Sequence, residues 1–207
     1  MMPRAAGPLA AGSFYLADEA AALMWVHATL IDTALAAHDA LLGQLEPAER
    51  DRYYEESKLM AAMYGIPQEM VPGGWTEFQA YMNAALASPV LTVTSEARSI
   101  AHTLVIEGAR PWLRPPRWYR AVTAGMLPEQ LRETFGLRFE DVERRAASRA
   151  LQRIRRIYPI LSKRLKHVGP YWEASERLAR GGGPSFRTRA SNWVWIGRSS
   201  IERVDIE

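Results

Sequence analysis

Between Ala20 and Ala40 the chain reads AAALMWVHATLIDTALAAHDA, twenty-one residues with no Gly, Pro, Lys or Arg. A run of this length with apolar residues at steps of three and four predicts a helix that lays one face into a core. Leu23, His27, Leu30, Ile31, Ala34, His38 and Leu41 fall on one such stripe, which points His27 inward. Only small residues (Ala28, Ala34, Ala37) stand near the imidazole. That leaves space beside it for something flat and large, a haem being the obvious candidate. The pattern equally allows a packed core histidine that donates one ring nitrogen to a backbone carbonyl, and both readings stay open here.

The segment WVHATLIDT is preceded by FYLADEAAALM and followed by L-x-P-A-E-R-D-R-Y-Y-x-E-x-x-x-x-A-x-x-x-G-I-P. Together these resemble the rubber oxygenase (latex-clearing protein) and MpaB-type oxygenase family, long classed as a domain of unknown function. The likeness runs from about Ser13 to Ala179 and is strongest at Trp25–Asp32. It implies an all-helical fold that binds a b-type haem, with His27 as the proximal iron ligand; Trp25, Thr29 and His38 on the same helix are further candidates beside the cofactor, His38 by sharing the His27 face. It also implies an enzyme that uses dioxygen to cleave carbon–carbon double bonds in isoprenoid chains. Family members carry an additional segment ahead of this helix, with an Arg-x-x-x-Thr element on the distal side of the haem. The chain therefore looks like the carboxy-terminal two thirds of that domain, and its distal-side residues and catalytic groups stay unassigned.

Composition narrows the chemistry. There is no cysteine, which removes disulfides, thiolate nucleophiles, Cys-ligated zinc, iron–sulfur clusters and thiolate-ligated haem. Twenty-six basic against 23 acidic residues is too small a surplus to suggest a nucleic-acid binder. The longest strongly apolar uncharged stretch, Ala20–Ile31, is short of a membrane span, and the amino end makes no convincing signal peptide. A cytoplasmic location follows as the default expectation.

Along the rest of the chain, Pro47 opens a second helix to Tyr64 with Leu59, Met60 and Met63 inward, and Thr76 caps a third with Phe78, Tyr81, Met82 and Leu86 inward. Thr94 or Ser95 caps a fourth carrying Ile100, Leu104 and Val105, with His102 off the stripe. Arg110–Trp118, dense in proline, reads as an extended arm, with a polyproline ligand as the alternative. Short helices follow from Trp118 and Pro128. A long one then places Phe139, Val142, Ala146, Ala150, Ile154, Ile157 and Leu161 on one side and six arginines on the other. Those arginines are expected to be solvated and paired with Glu140, Asp141 and Glu143. Tyr171–Arg180 is a last helix, and beyond Gly181-Gly182-Gly183-Pro184 the Val194–Ile196 stretch reads as a marginal strand in a tail of uncertain order.

The expected architecture is a single all-α domain over residues 1–180, an irregular bundle of seven or eight helices around His27, followed by a 181–207 tail. H-E-x-x-H, the P-loop, G-x-G-x-x-G and G-x-S-x-G are all absent. The leading expectation is a haem-dependent oxygenase-like protein acting with dioxygen on a small hydrophobic, isoprenoid-like substrate. A non-catalytic helical interaction module derived from the same domain is the alternative. Neither nucleic acid nor a membrane span is expected among its partners, and a homo-oligomer is an open option.

Overall fold

A computed structural model describes residues 5, 10–14, 16, 18–108, 114–181 and 183–201. All regular structure among them is helical: α1 (Ala20–Leu41), α2 (Pro47–Met63), α3 (Trp75–Ala87), α4 (Ser95–His102), α5 (Arg117–Met126), α6 (Glu129–Thr134), α7 (Asp141–Ile157), α8 (Lys163–Lys166), α9 (Gly169–Arg180) and α10 (Phe186–Ile196). A π-helical turn, Thr103–Glu107, extends α4, and short 3₁₀ turns cover Gln68–Met70 and Tyr158–Ile160. The chain forms two compact units, residues 1–153 and 154–207, divided near the end of α7.

In the first unit the core lies where α1, α2 and α3 meet. Met24, Ala28, Ile31 and Leu35 of α1 pack with Tyr54 and Ala61 of α2, Ile66, and Phe78 and Met82 of α3. Burial of such side chains contributes about 1.5–3 kcal/mol each and is the main force holding these helices together. Tyr54 is the corner post. Its ring lies 5.0 Å from Phe78, its hydroxyl donates to Pro72 O at 2.7 Å, and Trp75 stacks on Phe78 at 5.2 Å. Burial, with the nearby Glu55 and Glu77 carboxylates adding to it, pushes the Tyr54 phenol up to about 12, so the hydroxyl stays a donor.

Several helix starts follow the sequence chemistry. Pro47 occupies the first turn of α2, where Glu46 N donates to the Glu49 carboxylate at 3.2 Å. Thr94 caps α4 by accepting from Ala97 N at 3.2 Å.

The inward faces depart from the expected stripes. On α1, Leu30 is 49 % exposed and Ala34 is also exposed, whereas Met24 and Leu35 are buried. Because α1 is apolar nearly all round, periodicity identifies a helix there without choosing its phase. On α2, Leu59, Met60 and Met63 face outward, and Tyr54 and Ala61 take the core positions. Ile100 and Leu104 are exposed, as are Val142 and Ile157 at the two ends of α7, which buries Ala147 and Ala150. Two arginines of α7 bond within the helix: Arg145 and Arg149 donate through Nε to the carbonyls of Asp141 and Arg145, at 3.1 Å each. Much of the proline-rich arm, 109–113, lies outside the described residues; Trp118 belongs to α5 and is 46 % exposed.

At 22 residues, α1 is long and apolar enough to cross a membrane, contrary to the reading from its uncharged stretch alone. The difference is that Asp32, the only charged residue of α1 before Asp39, interrupts the run of residues without interrupting the helix. Its Met24–Leu35 face is used in the core with α2 and α3.

In the second unit α9 and α10 pack as a pair. The marginal strand at Val194–Ile196 is instead the last turn of α10: Ser185 caps the helix, its side chain accepting from Thr188 N, and Gly197 ends it with φ +70°. Local capping and a glycine stop outweigh the strand preference of a short Trp–Val–Ile run.

Candidate functional site

His27 sits on the core side of α1, between Met24 and Ile31, with 1 % of its surface exposed. Neither Nδ1 nor Nε2 has a hydrogen-bond partner among the described residues. A buried polar group without a partner costs roughly 1–3 kcal/mol, so an imidazole with two free nitrogens is an exception in a folded core. Burial also holds its pKa below the usual 6.5, which keeps the ring neutral and a nitrogen lone pair available. The only aromatic neighbour described is Tyr64, at the end of α2, whose ring meets the imidazole edge-on at 6.3 Å. A neutral, desolvated imidazole with an uncommitted lone pair is suited to ligating a metal or accepting a proton.

The other sequence candidates lie in different settings. Trp25 is half-buried and packs against the α1–α3 core from the adjoining side of the helix. Thr29 donates its hydroxyl to Val26 O at 2.8 Å, a bond back into its own helix. His38 is three turns further on, about 16 Å along the axis at 1.5 Å per residue. There its Nδ1 donates to Gly43 O at 3.1 Å and lies 3.9 Å from the Asp39 carboxylate, which Arg50 holds at 3.0 Å. His38 thus finishes the carboxy-terminal end of α1, where the helix dipole favours an imidazole. Asp32 makes no ion pair among the described residues, and partial desolvation raises its carboxyl pKa.

Tyr64 is the neighbour that sequence reasoning missed. It follows the helix by one residue, and nothing in its local pattern points at His27. Among the described residues no three His, Asp or Glu stand together as a metal set. A metal held by side chains alone has no cage there, whereas a macrocyclic iron asks the protein for as little as one imidazole. The unpartnered His27 nitrogens fit that requirement.

A concavity in the first unit, about 470 Å³, lies among the π turn, α5, the α6–α7 connection and α7. Ile106 and Phe135 line its walls together with Arg117, Arg120, Arg138 and Glu143. His27 is not among its lining residues.

The chain matches no curated protein and no solved structure. Residues 3–158 match the family described as "ER-bound oxygenase mpaB/B'/Rubber oxygenase, catalytic domain". That span begins and ends earlier than the likeness read from the motif, and it contains α1 to α6, all of α7 and the W-V-H-A-T-L core. This chain belongs to the mpaB/rubber oxygenase family, matching its catalytic domain over an all-helical fold.

Proposed function

We propose that this oxygenase-family chain is haem-dependent and acts with dioxygen on a hydrophobic, isoprenoid-like substrate. The observation that carries the reading is His27, buried with both ring nitrogens unpartnered. His27 would hold the iron of a b-type haem, and that group, when bound, supplies dioxygen activation.

The protein's own contribution follows from the residues around it. Burial keeps the His27 ring neutral and so competent to ligate at neutral pH. Tyr64, packed edge-on, limits rotation of that ring. Trp25 contributes a flat apolar wall beside the helix. The Thr29 hydroxyl, committed to Val26 O, keeps only acceptor lone pairs for a ligand. Val26 and Leu30 on α1, with Met60 and Met63 on α2, expose apolar surface on both helices that flank the imidazole, which suits a hydrophobic substrate.

Titration of the purified protein with hemin, followed by absorption spectroscopy, tests the cofactor. Wild type is expected to develop a Soret band that His27→Ala loses or shifts and His38→Ala retains; oxygen uptake with isoprenoid substrates then tests the reaction. A folded wild type that takes up no hemin, or an unchanged band in His27→Ala, overturns the assignment. The first of these outcomes favours a non-catalytic interaction module, a reading that draws support from the strong exposure of Leu59 (71 %) and Met63 (80 %).

A further inference from the structure

Among the described residues of 154–207, the fully buried side chains are polar and several large apolar ones are exposed. Glu173, Thr188 and Asn192 are buried. The Glu173 carboxylate accepts from the Arg177 guanidinium, the Asn192 side-chain amide and Ile201 N. One turn along α9, Glu176 accepts from Ser185 N at 2.7 Å, Ser185 Oγ at 2.8 Å and Thr188 Oγ1 at 2.9 Å. The contact between α9 and α10 is therefore built largely from hydrogen bonds to the Glu173 and Glu176 carboxylates, with Asn192 Oδ1 left without a partner among the described residues.

The outward sides are apolar. On α10, Phe186, Ala190, Trp193 and Val194 recur at steps of three, four and seven, so they share a face, with Phe186 85 %, Trp193 67 % and Val194 74 % exposed. On α9, Tyr171, Ala174 and Leu178 do the same, and Leu178 is 91 % exposed. Exposing these side chains to water forgoes the main driving force of folding, and a patch of this kind marks a surface that meets something apolar.

Charge identifies what it meets. Residues 154–207 carry eleven Lys and Arg against five Asp and Glu, whereas residues 1–153 carry fifteen against eighteen. From Ser185 to Ser200 there are three arginines and no acid, and Arg187 and Arg189 flank the apolar face of α10 on either side. Aromatic side chains bordered by arginine suit the headgroup level of a bilayer with anionic lipid. Eleven residues rise only about 17 Å, too little to span the hydrocarbon, so the helix would lie along the surface.

We infer that the α9–α10 hairpin docks on an anionic lipid bilayer, with Phe186, Trp193 and Val194 of α10 entering the headgroup–acyl boundary and Arg187 and Arg189 facing lipid phosphates. The hairpin lies wholly beyond the family match, so the inference does not rest on the reading of His27.

Co-sedimentation of the full chain with vesicles tests it. Wild type is expected to pellet with phosphatidylcholine–phosphatidylserine vesicles and to stay in solution with phosphatidylcholine alone. Raising salt from about 0.1 to about 0.5 M, which shortens the screening length, is expected to weaken binding about tenfold. Phe186→Ser combined with Trp193→Ser, both at exposed positions, should weaken it at least tenfold with the circular dichroism spectrum unchanged. The inference fails if folded wild type ignores the anionic vesicles or if the double variant binds them as well as wild type. It fails equally if the double variant loses self-association in analytical ultracentrifugation while vesicle binding is absent, which would assign the face to a second copy of the chain.

Discussion

In residues 1–153 the α1–α3 core includes Met24, Ala28, Ile31, Leu35, Tyr54 and Phe78, with one imidazole set among them whose nitrogens have no partner among the described residues. In residues 154–207 the buried side chains among the described residues are Glu173, Thr188 and Asn192, and Phe186, Trp193, Val194 and Leu178 face out. The two regions differ in what meets their most buried charged or titratable group. Glu173 is among the most buried groups in the protein, yet three donors meet it, and that is the signature of a structural hub. His27 is as deeply buried and is met by no hydrogen-bond partner among the described residues, which is the observation the haem proposal rests on. The second unit also carries the contrast to its surface, where the side chains that would have formed an apolar core are available to another phase.

The contrast can be broken most sharply at Glu173. Glu173→Leu removes the acceptor shared by Arg177, Asn192 and Ile201 N and leaves the buried Asn192 amide stranded. Because Arg177 is partly exposed and can rehydrate, the expected loss is about 3 kcal/mol, at the low end for a broken buried pair. Amide exchange should accelerate across α9 and α10 and stay unchanged in α1–α3; unchanged protection of α10 would show that the polar network is not what holds the hairpin.

Gly169 offers a milder test. A Cβ there would lie 2.7 Å from Asn192 N and 2.9 Å from its Cα, and backbone cannot swing away as a side-chain end can. Gly169→Ala is expected to cost about 1–3 kcal/mol, read by the same exchange experiment, because overpacking a close helix contact strains it by that order. A neutral result would mean that α9 and α10 slide apart easily.

The smallest effect is expected at His27, and it depends on pH. Its folded pKa is depressed below 6.5, so under acid conditions the unfolded chain takes up a proton that the folded chain resists. Stability should fall as pH drops through 6.5 towards the folded value and level off below it, with no contribution from this group above 6.5. His27→Leu should abolish that slope and, in the haem-free protein at neutral pH, add about 1 kcal/mol by removing the unpartnered polar group. Urea titrations between pH 5 and 8, a range of about three units around the histidine pKa, check both points. If the slope survives in the variant, the imidazole is not the buried neutral group described.

Much was readable without coordinates. The all-helical class, the span of α1, the Pro47 start of α2, the Thr94 cap, the long α7 and the inward histidine all rest on neighbouring residues acting within one or two turns. The rest was not readable, for identifiable reasons. On α1 the apolar residues are too many to single out the Met24–Leu35 face, and Leu30 was placed inside when it lies half outside. On α2, Leu59 and Met63 outrank Tyr54 in hydrophobicity, yet the core took Tyr54, because its hydroxyl reaches Pro72 O and its ring completes the cluster with Trp75 and Phe78. Nothing local announced the α9–α10 pair, since a helix that buries its polar side inverts the rule by which inward faces are read.

Local chemistry thus set which segments are helical and that an imidazole would ride on the first of them, because caps, prolines, glycines and three-to-four periodicity act over a few residues. Packing chose which face of each helix turned inward, left both nitrogens of His27 without a partner and gathered Glu173, Glu176, Thr188 and Asn192 into a polar core. Those outcomes depend on contacts between residues far apart in the chain, where volume, desolvation and hydrogen-bond satisfaction are settled jointly across helices and periodicity within one helix carries no information.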